Sequence, residues 1–200
     1  MRKIKQYRVF LPQPPTYCPS ISPSALKAGD CLLLHSEYWL AYAVQSLTDS
    51  PWSHATMVIE DPITGALYVG DMVWPKLEVV PLEKWLAQYP DAWVYQIKDT
   101  LSTSQKSIIW DWWNSHIGAW YDVGLLFQMA PLKLWQKIVQ WLHFPISWQK
   151  LKPLVSTGVC ATCCGWAWKR AGLPVDSPRT LAPSDMPRQI FLVPSISKIL

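Results

Sequence analysis

Three residues far apart in the chain could together do nucleophilic chemistry: Cys160, His54 and Asp71. The stretch STGVCATCCGWAWKRAG, from Ser156 to Gly172, reads as a loop running into a helix that opens on Cys160. A thiol in the first turn of a helix lies beside backbone N–H groups that have no intrahelical partner, and the positive end of the helix favours thiolate over thiol. To act as a nucleophile it needs a base that takes its proton and later returns one to a leaving group, and a polar group that holds that base.

Four histidines could be the base: His35, His54, His116 and His143. His54 is the best placed. It follows the helix-breaking Ser50-Pro51 and begins a strand, where an imidazole can face a helix N-terminus lying across the sheet. His116 falls late on an apolar helix face and His143 lies beside a loop, positions that suit packing or a surface. The holder of the base should come from the neighbouring strand. In the hairpin that starts at His54, the end of the second strand returns beside the start of the first, which brings Asp71 near His54; Glu60 sits at the opposite end. For an oxyanion, the backbone N–H of Cys160 is the natural first donor and the hydroxyl of Tyr121 a candidate for the second.

Plainer readings stand beside these. Cysteine is common in cores, a strand-edge histidine can simply be satisfied by neighbours, and Asp71 could bond the turn that follows it. Cys160 and Cys163 also make a C-x-x-C at a helix N-terminus, the placement used by dithiol oxidoreductases. The chain lacks the alternating strand and helix pattern expected around such a motif, and Cys163 and Cys164 read as packed residues. No second C-x-x-C or paired histidines complete a zinc site, so neither metal nor cofactor is expected.

The elements that must position these groups are legible in outline. Residues 1–24 are rich in Pro, Ser and Tyr and read as an extended arm; residues 25–200 read as one domain. Leu26-Lys-Ala-Gly-Asp30 is a turn feeding a buried strand at Cys31–Leu34. A helix capped by Ser36 follows and stops at Asp49-Ser-Pro51. His54–Glu60 and Ala66–Met72 flank the turn Asp61-Pro-Ile-Thr-Gly65 as a hairpin, and Leu77–Val80 continues a small antiparallel sheet. Pro81 to Gln88 reads as a short helix and Trp93–Lys98 as another strand. Ile108, Ile109, Trp112, Trp113 and His116 then mark one face of a helix that Gly118 ends. Further helices are expected over Asp122–Met129 and Leu132–Leu142, a loop over His143–Thr157, the Cys160 helix to Arg170, and a last strand at Ile190–Val193.

That order, with Leu26-Lys-Ala-Gly-Asp30 and a strand, then Ser53-His54-Ala-Thr-Met-Val-Ile, an acid on the next strand, Tyr121-Asp122, and Cys160 opening a helix, resembles the circularly permuted NlpC-type papain-fold cysteine hydrolases. Their YiiX-like branch is the one it resembles in particular, and the lecithin retinol acyltransferases are distant relatives. The histidine precedes the cysteine helix, as permutation requires, and Ala182-Pro-Ser-Asp185 resembles the segment that follows that helix. The resemblance implies an α+β permuted papain-like fold in which Cys160 is the nucleophile, His54 the base and Asp71 the third member. The chain departs from the branch in placing Ala161-Thr162 where Ser-Glu often follows the nucleophile, and Asp71 where Glu is frequent. Peptide amides, including cell-wall peptides, and lipid or N-acyl amides and esters are the substrates it implies. A non-catalytic binding module on the same fold is the third possibility.

Composition narrows the partners. The net charge of +4 is mild and scattered, which argues against nucleic acid. Five cysteines, three of them clustered, suit a reduced compartment. The N-terminus fails as a secretory signal and no run reaches the ~18 apolar residues of a spanning helix. A cytoplasmic protein is therefore expected, with non-classical export left open. Of the fourteen tryptophans, Trp135 falls with Ile138, Val139 and Leu142 on one face of a helix that carries Lys133 and Lys137 elsewhere. That pattern fits packing on the body or peripheral contact with a lipid interface.

Overall fold

The computed structural model describes residues 13–16, 18–36, 39–48, 50–73, 75–121, 160–175, 178, 181–189, 191–193 and 196–200. Strand β1 (Ser20–Ile21) is followed by a short 3-10 turn, then β2 (Cys31–Leu34), α1 (Trp39–Thr48), β3 (His54–Glu60), β4 (Leu67–Met72), β5 (Leu77–Pro81), α2 (Leu82–Gln88), β6 (Trp93–Tyr95) and α3 (Thr103–Ser115). After them come α4 (Cys160–Arg170), a 3-10 segment at Pro183–Arg188, and β7 (Ser197–Ile199). The helices expected over residues 122–142, with Trp135 and its neighbours, and the loop with His143 lie outside the described residues.

The strands form one sheet of seven in the order β1-β7-β6-β2-β3-β4-β5. It is antiparallel throughout except where β1 runs parallel to β7, with Ser20 opposite Lys198. The sheet is thus larger than the sequence pattern suggests. The end of the expected arm is a strand, and the last strand falls at Ser197–Ile199, while Leu192 makes only an isolated bridge to Ile97. A two- or three-residue strand lacks enough periodicity to be seen in sequence; the partner makes it one.

The alternation along His54–Glu60 suggests one wet face, but the five residues between its ends are all buried. Both faces of the hairpin are covered. Ala55, Met57 and Ile59 pack in a core with Trp113 of α3 and Ala161, Cys164 and Trp168 of α4. Val58 and Val69, on the other face, pack with Leu34, Val80, Leu82 and Trp85. Helix α3 begins at Ser102, whose side chain accepts from Gln105 N while the Gln105 side chain returns a bond to Ser102 N, a capping box. Its buried stripe is Ile109 and Trp113, whereas Ile108 and His116 face outward.

The Leu26–Asp30 turn joins three layers. Gly29 adopts φ 94°, a left-handed conformation that favours glycine, and its N–H donates to Val58 O at 2.8 Å. Its carbonyl accepts the indole N–H of Trp168 on α4 at 3.2 Å. Asp30, wholly buried, takes the Lys27 N–H on Oδ2 and the Ile97 N–H on Oδ1, each at 2.9 Å. The turn thereby fixes α4 against the sheet that carries His54.

Candidate active site

The segment leading into β3 is held before His54 is reached. Leu34 pairs with His54 across β2 and β3. Leu34 O accepts both the backbone N–H and the hydroxyl of Ser53, at 2.9 and 3.1 Å. Pro51 O accepts Gln45 Nε2 at 2.9 Å and lies 2.6 Å from His35 Nδ1. Ser36 gives its backbone N–H to Ser53 Oγ at 3.1 Å. His35 and Ser36 therefore shape the chain before His54.

On the hairpin, Met57 faces Gly70, so one further step of the register sets Asp71 opposite Thr56. Asp71 then lies on the diagonal from His54, on the same sheet face. His54 Nε2 is 2.6 Å from Asp71 Oδ1, with the two side chains 14% and 1% exposed. This is a charge-assisted bond in a site almost closed to water. Oδ2 of the same carboxylate accepts the indole N–H of Trp85, on α2, at 2.7 Å.

Helix α4 packs on the opposite face of β3 and brings its first residue, Cys160, to the end of the strand where His54 sits. The Cys160 thiol lies within charge and hydrogen-bonding reach of the His54 imidazole. With Nε2 given to Asp71, Nδ1 is the ring nitrogen left for sulfur. His54 thus bridges the two faces of the sheet, which is possible because it is the terminal residue of its strand.

The electrostatics of this cluster are directional. Burial alone pushes the Cys160 thiol up, but the charge and hydrogen bond of His54, with backbone bonds from Ala55 and Ala161, bring it below the ordinary thiol value. Burial likewise disfavours the charged form of His54, and the neighbouring charges of Asp71 and Cys160 and its bonds to both outweigh this and raise it well above the usual histidine range. Asp71 is pushed up by burial and pulled down further by His54, Trp85 and Thr56, to below the usual carboxylate range. The site therefore favours a thiolate beside an imidazolium beside a carboxylate.

The other sequence candidates separate cleanly. Burial pushes the thiols of Cys163, Cys164 and Cys31 up, the reverse of Cys160. Tyr121 is mostly buried and within electrostatic reach of Cys160; burial and that thiolate push its hydroxyl up, so it stays a donor. It is placed by its N–H to Pro75 O at 2.9 Å. Glu60 is taken by Lys106 Nζ at 2.7 Å. His116 stacks on Trp112 at the end of α3. Asp185 accepts the Ala182 N–H at 2.9 Å at the start of the 3-10 segment Pro183–Arg188. No group of three His, Cys, Asp or Glu side chains that could hold a metal ion occurs among the described residues. Trp85 was not marked by the sequence; in a short amphipathic helix it reads as core, and only its neighbour reveals the N–H as a partner.

A buried cysteine at the head of a helix that packs on a mainly antiparallel sheet, with a histidine that precedes it in the chain on that sheet, is the arrangement of a permuted papain-like fold. The chain belongs to the permuted papain-like amidase family, YaeF/YiiX, C92, whose sequence model matches residues 25–130. The matched segment holds His54, Asp71, Trp85 and Tyr121, and stops before Cys160. Among solved structures, the chain is similar to the metalloprotein yiiX from Escherichia coli O157:H7, with 17% identity, 87% of this chain and 96% of that one covered, and a TM-score of 0.48. No curated protein matches the chain significantly. Membership in the family carries a cysteine hydrolase type of activity, and no helix among the described residues is long and apolar enough to cross a membrane.

Proposed function

We propose that this chain is a cysteine amidase or acyl hydrolase in which Cys160, His54 and Asp71 form the catalytic triad. The observation that supports the reading is that one imidazole, that of His54, meets Asp71 at 2.6 Å while lying within charge and hydrogen-bonding reach of the Cys160 thiol. The Cys160 thiolate adds to a carbonyl carbon, and the developing oxyanion is received by the Cys160 N–H, with the Tyr121 hydroxyl as second donor. The His54 imidazolium gives its Nδ1 proton to the leaving amine or alkoxide as the C–N or C–O bond breaks. The product left on the enzyme is a thioester. Neutral His54 then takes a proton from water, the hydroxide adds to the thioester, and release of the acid restores thiolate and imidazolium. Asp71 keeps the ring in the tautomer with hydrogen on Nε2 throughout.

The substrate class is a peptide amide, or an N-acyl or lipid amide or ester. Ile117 and Trp120, 54% and 66% exposed, stand on the turn that ends at Tyr121, which supports a substrate with a hydrophobic part. A dithiol mechanism through Cys163 is less well supported, because burial holds that thiol protonated. The test is turnover of matched nitroanilides and nitrophenyl esters with short and long acyl chains. Cys160→Ala should abolish hydrolysis and thiol-probe labelling, and Cys163→Ala should leave both largely intact. Equal loss from the two variants would transfer the case to the dithiol reading, and hydrolysis surviving Cys160→Ala would remove the triad.

A further inference from the structure

Of the side chains around the site, one has a polar atom whose partner is the triad acid itself, and it comes from outside the hairpin. Trp85 is 1% exposed, and its ring packs against Tyr89 at 4.7 Å within the cluster of Leu34, Val58, Val69 and Val80. An indole N–H in such aliphatic surroundings needs an acceptor. Here it donates to Asp71 Oδ2 at 2.7 Å, while Oδ1 of the same carboxylate faces His54 at 2.6 Å. A carboxylate can turn about its Cβ–Cγ bond, and the bond from Trp85 removes that freedom from one side. The ring that makes it is itself locked by packing, so the direction of the N–H is set by the core rather than by the site.

We propose that Trp85 is a positioning residue of the active site, fixing the Asp71 carboxylate in the rotation that presents Oδ1 to His54. The inference rests on the triad reading above and extends it from three groups to four. The groups around Asp71 are His54 and Thr56 from β3, Trp85 from α2, and Cys163 and Cys164 from α4 through space; Glu78, opposite it on β5, is exposed. Thr56 gives its hydroxyl to Gly70 O and also lies within hydrogen-bonding reach of Asp71, whereas Trp85, from outside the hairpin, donates to Oδ2 at 2.7 Å. Loss of that donor weakens the hold of Asp71 on His54, and through His54 the hold on the Cys160 proton.

The test needs no substrate. The rate of Cys160 alkylation by iodoacetamide, followed on its own peptide by mass spectrometry, is measured across pH for the full chain and its variants. Trp85→Phe keeps an aromatic ring and loses the donor; it should move the acid limb up by about one pH unit, an alkylation rate about tenfold lower there, and bring the alkaline limb down. Trp85→His keeps an N–H where the indole five-membered ring had it, and should recover most of the wild-type profile. If Trp85→Phe does not fold, replacing Trp85 alone by benzothienylalanine keeps the bicyclic shape with sulfur in place of N–H and should give the same shift. A profile unmoved by loss of the donor, or moved equally by Phe and His, overturns the role of Trp85. A wild-type profile with a single ordinary thiol limb would instead overturn the triad, so the two failures are distinct.

Discussion

The indole of Trp113 lies on the backbone of Gly70, so close that a Cβ at position 70 would collide with its fused ring carbons. Gly70 is the residue before Asp71 and pairs with Met57 on β3. The absent side chain therefore sets how α3 sits on the sheet and, through the adjoining peptide, where Asp71 points.

Gly70→Ala should accordingly destabilise the protein. Trp113 is fully buried and has little room to give, so overpacking of about 1–3 kcal/mol is expected. Denaturant unfolding gives the midpoint, and the activity of the folded fraction reports whether Asp71 has moved. A midpoint equal to that of wild type would mean that Trp113 can shift without cost.

Reactivity of Cys160 should show a plateau between two limbs. Its pKa is lowered and that of His54 raised, so the rate rises as pH climbs through the lowered cysteine value. It then stays level while thiolate and imidazolium coexist, and falls as His54 loses its proton. Asp71→Asn removes the charge that raises His54. The plateau should shrink from both sides and turnover should fall by roughly 10²-fold or more, the scale of a lost acid–base device. An asparagine variant with the full plateau would show that Cys160 alone holds the His54 proton.

Asp30 gives a separate signature in stability. Burial raises its pKa from 3.8 to about 6, against the lowering effect of bonds from Ile97 and Lys27. Because the folded value lies above the unfolded one, the folded state holds the extra proton between those limits. Stability from this group is greatest at low pH and is lost as pH rises from about 4 to about 6, by at most about 3 kcal/mol. His54 and Asp71 also titrate, so the measurement is the difference between wild type and Asp30→Asn in urea midpoint at several pH values. A difference that does not change across that window would contradict the shift.

The hairpin was legible because a seven-residue strand with alternating apolar residues and a Pro-Ile-Thr-Gly turn carries its own signal, and hairpin geometry alone places Asp71 near His54. The short pairings were not. Ser20–Ile21 and Ser197–Ile199 become strands by meeting each other, a contact between opposite ends of the chain that local propensity does not encode. Likewise, Ile108 and Ile109 are equivalent as residue types, and only the position of the sheet decides that Ile109 is buried and Ile108 exposed.

By itself the sequence determined which groups this protein has for chemistry, a cysteine at a helix start and a histidine and an acid on one hairpin, and the order in which they occur. Residue type and local period are sufficient for that. Tertiary structure decided how they differ from their chemical equals. Cys160 is lowered while Cys163, one turn later, is raised, because only the first faces His54. Glu60 goes to Lys106 and Asp71 to His54, because register puts them at opposite ends. Trp85, a core residue by pattern, becomes the second partner of the acid, because packing alone sets where its N–H points.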